Sequence, residues 1–295
     1  MFYYCFIRLF SDVKQLSKGQ KSNYDLLQLS HRLEKGLLIK NPKPLWGWEK
    51  AYRITYLLQG NKDNFSSITA NAVLSNFLAT KEKSIYKEDR IAWKEFINNT
   101  HFKPVNNYSA GGIIKVEKTE FNSEETQTIE RLFSSRHSCR EFSNKAISNE
   151  EIAKAVQMAL RCPSACNRQP FRVYVIPPSM IEKLIGKNLQ YKSDKILVIT
   201  GDIRAFAASE FLDWFISPSI FAGYLTLSLH ALGIGCCVLR KDLVRSTPYN
   251  LAIKKITRMS DSERIVLEMS IGYYNDRYYA PISNRAGVSD IVKFV

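Results

Sequence analysis

Arg136-His137-Ser138-Cys139-Arg140-Glu141-Phe142 and, one helix further on, Pro163-Ser164-Ala165-Cys166-Asn167-Arg168-Gln169-Pro170 decide how this 295-residue chain is read. In an extended backbone, side chains two apart share a face. Arg136, Ser138 and Arg140 then line up as two guanidinium groups around a hydroxyl. Such a set suits a dianionic phosphate, which takes charge-assisted hydrogen bonds from arginine. The plain alternative is a solvated turn in which Arg136 caps the preceding helix. In the second stretch Asn167 and Gln169 carry two amides, each able to donate and to accept. Pro163 and Pro170 bracket them, and the Ser164 hydroxyl lies beside them. The plain alternative is an ordinary turn made of turn formers. No acid–base pair or metal-ligand cluster accompanies either stretch, so no catalytic residue and no metal site is assigned. Chemistry here has to come from a bound cofactor.

Working outward, Ser148 and Glu151 form a capping box. Ile152, Val156, Ala159 and Leu160 follow at helical spacing as a core stripe. Upstream, Asn122 and Glu125 cap a helix with Ile129, Leu132 and Phe133 on one face. Downstream, Phe171–Ile176 is β-rich and stops at Pro177-Pro178, which predicts a strand. Ser179 and Glu182 predict a short capped helix ending at Gly186, and 195–200 a second strand. The apolar run 206–232 predicts one long helix interrupted near Pro218. Glu210, Asp213 and His230 within it favour a buried helix over a membrane span. Strands are expected at 236–239 and 265–272. This order predicts an α+β sheet packed by helices. No Gly-x-Gly-x-x-Gly follows a strand, which excludes a Rossmann phosphate loop.

The first hundred residues read differently. Leu26, Leu27, Leu29, Leu33, Leu37 and Leu38 recur near a 3.6 spacing until Gly36 and Asn41-Pro42-Lys43-Pro44 stop the run. Further helices are predicted at Trp48–Leu58, 68–77 and 89–97. Pro104, Asn106, Asn107, Gly111 and Gly112 break the pattern, so the chain divides into a helical region, 1–118, and a mixed domain, 119–295.

The net charge of +14 leans to the first 118 residues, with 19 Lys/Arg against 10 Asp/Glu. A basic surface raises encounter rates with anions. The blander reading is a solvated helix face, because Lys81, Lys83, Lys87, Arg90 and Lys94 interleave with Glu82, Glu88, Asp89 and Glu95. Nucleic acid is not expected, since no recognised motif accompanies the charge. None of the six cysteines forms Cys-x-x-Cys, which argues against a zinc ribbon or redox pair. Cys236-Cys237 reads as a small apolar pair in a buried strand. The apolar start, 1–7, is far short of the roughly 20 residues of a membrane span. It allows at most an interfacial contact, and a reduced, cytoplasmic protein is expected.

The two opening stretches resemble the signature of the FMN-dependent nitroreductase family: an Arg-x-Ser-x-Arg-x-Phe phosphate anchor and a Pro-Ser-x-x-Asn-x-Gln-Pro flavin-edge turn. His230-Ala231-Leu232-Gly233-Ile234-Gly235-Cys236 resembles that family's Ala-Leu-Gly-Leu-Gly-Thr-Cys stretch, and Ile271-Gly272-Tyr273-Tyr274 its Ile-Gly-Tyr-Pro. Tyr274 for proline is a departure, as is Arg285 standing alone for a basic cluster. The resemblance implies FMN held by Arg136, Ser138, Arg140 and Arg285 at the phosphate. Pro163, Ser164, Asn167 and Gln169 would serve the ring and ribityl chain, and Gly233 and Gly235 would supply close backbone. It implies a homodimer with sites built from both subunits and a C-terminal tail pairing with the partner. NADPH or NADH would be the electron donor and a small organic molecule the acceptor. His31-Arg32-Leu33-Glu34-Lys35-Gly36-Leu37 resembles the N-terminal extension of nitroreductase-like proteins associated with bacterial surface-polysaccharide genes, which implies a place in polysaccharide biosynthesis. Physically that run is an anion site or a surface or interdomain face. The competing reading is a degenerate flavin fold acting as a binding or assembly module, its basic N-terminal region contacting an anionic glycan or membrane surface.

Overall fold

The computed structural model describes residues 22–60, 64–105, 110–210, 212–239 and 247–295. The apolar start 1–7, with Cys5, lies outside the described residues, as do Asn106 and Asn107. Four helices come first: α1 (Ser22–Leu37), α2 (Trp48–Leu58), α3 (Phe65–Glu82) and α4 (Lys87–Thr100). Helix α3 outruns the predicted 68–77 because Asn64 and Ser67 close a reciprocal capping box one turn earlier. These helices share a core of Leu26, Leu33, Trp48, Ile54, Phe77 and Phe96. One expectation fails here: Lys81 and Asp89 are buried, 4% and 1% exposed, not part of a solvated face. Asp89 accepts from Lys81 Nζ at 2.8 Å, Ser84 Oγ at 2.9 Å, Trp48 Nε1 at 3.2 Å and the Leu45 N–H at 3.0 Å. Burial works to raise its carboxyl, but those donors hold it below the ordinary range.

The mixed region follows with α5 (Ser123–Ser135), α6 (Asn149–Ala159), β1 (Phe171–Ile176), α7 (Pro178–Ile185), β2 (Lys195–Asp202), α8 (Asp213–Ala231), β3 (Ile234–Leu239), α9 (Pro248–Thr257), β4 (Glu263–Tyr273) and α10 (Val288–Ile291). Both predicted capping boxes form, at Asn122/Glu125 and Ser148/Glu151. The Ser179/Glu182 cap does not. Pro177 takes the cap position of α7 without a side-chain bond, and Glu182 accepts from the Leu189 N–H instead.

The strands form one antiparallel sheet in the order β1-β2-β4-β3. Helices α6 and α8 cover one face, where Ile152, Leu197, Phe221, Leu229 and Met269 share a core. Helices α7 and α9 cover the other, around Ile181, Val198 and Ile253. The protein is thus α+β, a helix-flanked antiparallel sheet preceded by a helical region. Cys236 and Cys237 are buried in β3 and free, as expected.

Helix α8 corrects a second expectation: it runs unbroken through Pro218. Proline removes the N–H that would bond the Trp214 carbonyl. That carbonyl lies against β2 at Gly201, where an added Cβ would come within 2.0 Å of it. A glycine in the neighbouring strand leaves room for that carbonyl. Before the helix, 203–205 and 208–210 are short 3-10 turns, not helix continuing from 206.

Helix α1 belongs to two cores. Its Leu26 and Leu33 pack in the helical cluster, while Tyr24 and Leu27 pack with Ile203, Phe206, Trp214 and Val266. The Tyr24 hydroxyl donates to Asp202 Oδ2 at 3.1 Å. No helix among the described residues is long and apolar enough to cross a membrane.

Candidate functional site

The 136–142 segment leaves α5 in extended conformation and lies beside the sheet. Ser138 bridges Cys236 of β3 and Phe142 bridges Tyr274 just past β4. The Cys139 N–H donates to the Cys236 carbonyl at 2.9 Å, and the Ser143 N–H to that of Tyr273 at 2.9 Å. Alternation then sorts the side chains. Yet the division is incomplete: Cys139 is fully buried and Arg136, Ser138 and Arg140 are half-buried, but His137 and Glu141, on the Cys139 side of the alternation, are exposed. Close approach requires two glycines: a Cβ on Gly235 would meet Cys139 at 2.9 Å, and one on Gly272 would meet Phe142 at 2.6 Å.

Arg140 donates to the Ser138 carbonyl at 3.3 Å. Among the described residues Arg136 makes no hydrogen bond or ion pair, which leaves its guanidinium donors available. It also has no carboxylate to neutralise it, and its field reaches the adjacent His230. Burial first, then the charges of Arg136 and His137, hold that imidazole below its ordinary value. His230 links two elements: Ser135 Oγ lies 2.8 Å from its Nε2 and the Tyr274 hydroxyl 2.9 Å from its Nδ1. Tyr274 in turn stacks on Tyr278 with centroids 5.1 Å apart. The Ser135–His230–Tyr274 chain is invisible in the sequence, where its members stand far apart. Its one signal is Tyr274 itself, in the place the family gives to proline. Burial raises the Tyr274 phenol and pushes the Cys236 thiol up to about 12, which leaves that thiol inert near neutral pH.

The 163–170 turn is held differently. Cys166, Asn167 and Gln169 all have left-handed φ, at 50°, 51° and 47°. Such residues cost on the order of 1 kcal/mol each and persist only where surroundings enforce them. The enforcer is Arg168, 2% exposed. Its Nε donates to the Ala165 carbonyl at 3.1 Å and its Nη1 to the Ala205 carbonyl at 2.6 Å. A fork closes on Glu210 at 2.9 and 2.6 Å. That fork, despite partial burial, holds the Glu210 carboxyl below the ordinary range. Ser164 accepts from the Asn167 N–H through its carbonyl and from the Gln169 N–H through its hydroxyl. The Gln169 side chain donates to Asn167 Oδ1 at 3.0 Å. The joined amides still offer the Asn167 NH₂ and the Gln169 carbonyl outward, a donor beside an acceptor. Pro163 is exposed at the mouth of the turn.

The remaining residues separate. Gly233 sits past α8 at φ 73° with open space around it. Arg285 is exposed in the irregular stretch before α10, with no bond to the anchor among the described residues. His31 Nδ1 lies 3.8 Å from Glu34 Oε2, and Glu34 accepts from the Gly112 N–H at 3.0 Å, an internal contact, while Arg32 and Lys35 are exposed. A cavity of about 970 Å³ opens between α1, the start of α3, α6 and β1. Phe171 and Phe221 line it, with Arg172 and Gln169. It shares Gln169 with the candidate set but none of Arg136, Ser138 and Arg140.

The chain matches none of the curated proteins. Among solved structures, ydfN of Bacillus subtilis is 17% identical, covering 58% of this chain and 100% of its own, with a TM-score of 0.49. A nitroreductase family protein of Clostridium difficile 630 is 23% identical over 56% and 96%, TM-score 0.46. A protein of Desulfovibrio desulfuricans, solved in complex with FMN, is 16% identical over 56% and 94%, TM-score 0.46. Residues 133–195, which hold the 136–142 segment and the 163–170 turn, match the model of the Nitroreductase family. On that match the chain carries a nitroreductase-family domain, preceded by a further helical region.

Proposed function

We propose that the protein is an FMN-dependent oxidoreductase that passes a hydride from NADPH or NADH to a small organic acceptor of nitro, quinone or enone type. One observation carries this reading: the half-buried row Arg136, Ser138, Arg140 makes no ion pair among the described residues and lies beside glycine-lined backbone. That donor set fits a flavin phosphate. The outward donor and acceptor of Asn167 and Gln169 suit the polar edge of the isoalloxazine. Bound FMN would supply the two-electron chemistry between donor and acceptor. The chain's own part is to grip the phosphate through Arg136 and Arg140, present amides on a turn that cannot relax, and keep Arg136 placed through the Ser135–His230–Tyr274 chain. The 970 Å³ cavity reaching Gln169 is within the range of small-molecule sites and supports an acceptor of that class.

The two halves of this set touch α8 at distant points. The Ala165 N–H donates to Ser217 Oγ, whereas Ser135 meets His230 thirteen residues later. At 1.5 Å per residue that is about 20 Å of helix. This separation favours a homodimer in which the anchor of one chain faces the turn of the other. Leu212, Ile216, Ile220 and Tyr224, exposed at four-residue spacing, give α8 an apolar stripe for such a contact. Ile291 and Phe294, 73% and 92% exposed, give the tail a reason to pair with a partner.

Anaerobic titration of FMN-loaded protein with NADPH and NADH tests the proposal. Bleaching of the visible flavin bands, and their return with a quinone, is the expected result. Protein that takes up no FMN overturns it.

A further inference from the structure

Residues 38–45, most of the link from α1 to α2, hold apolar side chains out into solvent. Leu38 is 66% exposed, Ile39 49% and Leu45 53%. The loop is built, not slack. Trp46 closes its base, packed so tightly on Gly36 that a Cβ there would meet the indole at 1.5 Å. Pro42 and Pro44 stiffen its crest. Leu45 itself has a left-handed φ of 62°, unfavourable for a leucine, and its N–H is tied to the buried Asp89. A buried ion pair thus enforces a strained backbone whose side chain contacts solvent. Strain of this kind is retained where a displayed side chain has a use.

The charges around it are one-sided. Residues 35–56 carry five Lys/Arg against the single acid Glu49. Lys40 and Lys43 lie between the exposed aliphatics. Lys50 sits over the Trp46 ring at 5.6 Å, and Arg53 over the exposed Tyr56 at 5.2 Å. Aliphatic tips flanked by lysine, with tyrosines behind, match the interface of an anionic bilayer: apolar groups enter the acyl boundary, ring hydroxyls and ammonium groups stay at the headgroups.

We propose that the 38–45 loop, with the outer face of α2, docks the protein peripherally on an anionic lipid surface. Charge complementarity together with displayed leucines selects lipid over a soluble polyanion, which would not need the leucines. The proposal is independent of any flavin.

The test is co-sedimentation of the full chain with phosphatidylcholine vesicles, with and without phosphatidylglycerol. Binding only to the anionic vesicles is expected. Lys40→Gln with Lys43→Gln should weaken it about thirtyfold, and Leu38→Ser with Leu45→Ser at least about tenfold. All four sites are exposed, so unchanged melting temperatures certify the variants. Wild-type protein that ignores anionic vesicles, or variants that bind them as wild type does, overturn the proposal. Binding to a soluble anionic polysaccharide that the lysine pair abolishes and the leucine pair leaves intact, without vesicle binding, overturns it in favour of a glycan surface.

Discussion

In the 163–170 turn one buried side chain, Arg168, is bonded through every nitrogen and dictates the backbone around it. In the 136–142 segment the backbone bridges to β3 and to Tyr274 just past β4, and among the described residues neither arginine forms an ion pair. The first region uses its charge for architecture; in the proposed function the second would keep it for the flavin phosphate. Two arginines a short way apart in sequence therefore have opposite surroundings, and charge alone does not distinguish them.

Substitution should separate them most sharply. Arg168→Leu leaves Glu210 without its partner and should cost about 3–5 kcal/mol, read as a lowered midpoint in urea or heat. Arg136→Leu should leave the melting of FMN-free protein within about 0.5 kcal/mol. It should weaken FMN binding by about 1.5–3 kcal/mol, measured by quenching of flavin fluorescence. If the two variants behave alike, the contrast fails.

The pH dependence refines the anchor side. The folded protein disfavours the His230 imidazolium, so its penalty is absent above the free-imidazole value of about 6.5. Stability should decline as pH falls below that and level off once the folded imidazole also protonates. His230→Asn should remove this part of the acid slope in melts taken from neutral to mildly acidic pH. The smallest effect is expected in the turn. Cys166→Gly relieves one left-handed φ and should change stability by no more than about 1 kcal/mol, with FMN affinity kept. A large loss would mean the thiol does more than occupy the position.

What the sequence made legible was the outward-facing chemistry. Short spacing picked out Arg136, Ser138 and Arg140, local amides marked Asn167 and Gln169, and capping pairs located α5 and α6. Local signals sufficed because each lies within a few residues. Arg168 was read past, although it stands inside the quoted motif, because its partner Glu210 lies 42 residues away. Lys81 and Asp89 looked solvated because interleaved charge is usually surface, and only Trp48, which donates to Asp89, and Phe77, whose ring Lys81 covers, show otherwise. The continuity of α8 through Pro218 depended on Gly201 in another element, which no helical pattern records.

The double membership of α1 bears on how the chain could be cut. A break at 118 follows composition, but Tyr24 and Leu27 would leave with the first fragment. The second would then present Ile203, Phe206 and Trp214 to water and Asp202 without its phenol. Such a fragment would behave as a sticky, half-covered body, whereas protease nicking in the exposed 113–121 stretch should leave two pieces that stay together through elution from a sizing column. The linker is where the polypeptide can be severed, and α1 is the dowel that keeps the severed halves joined.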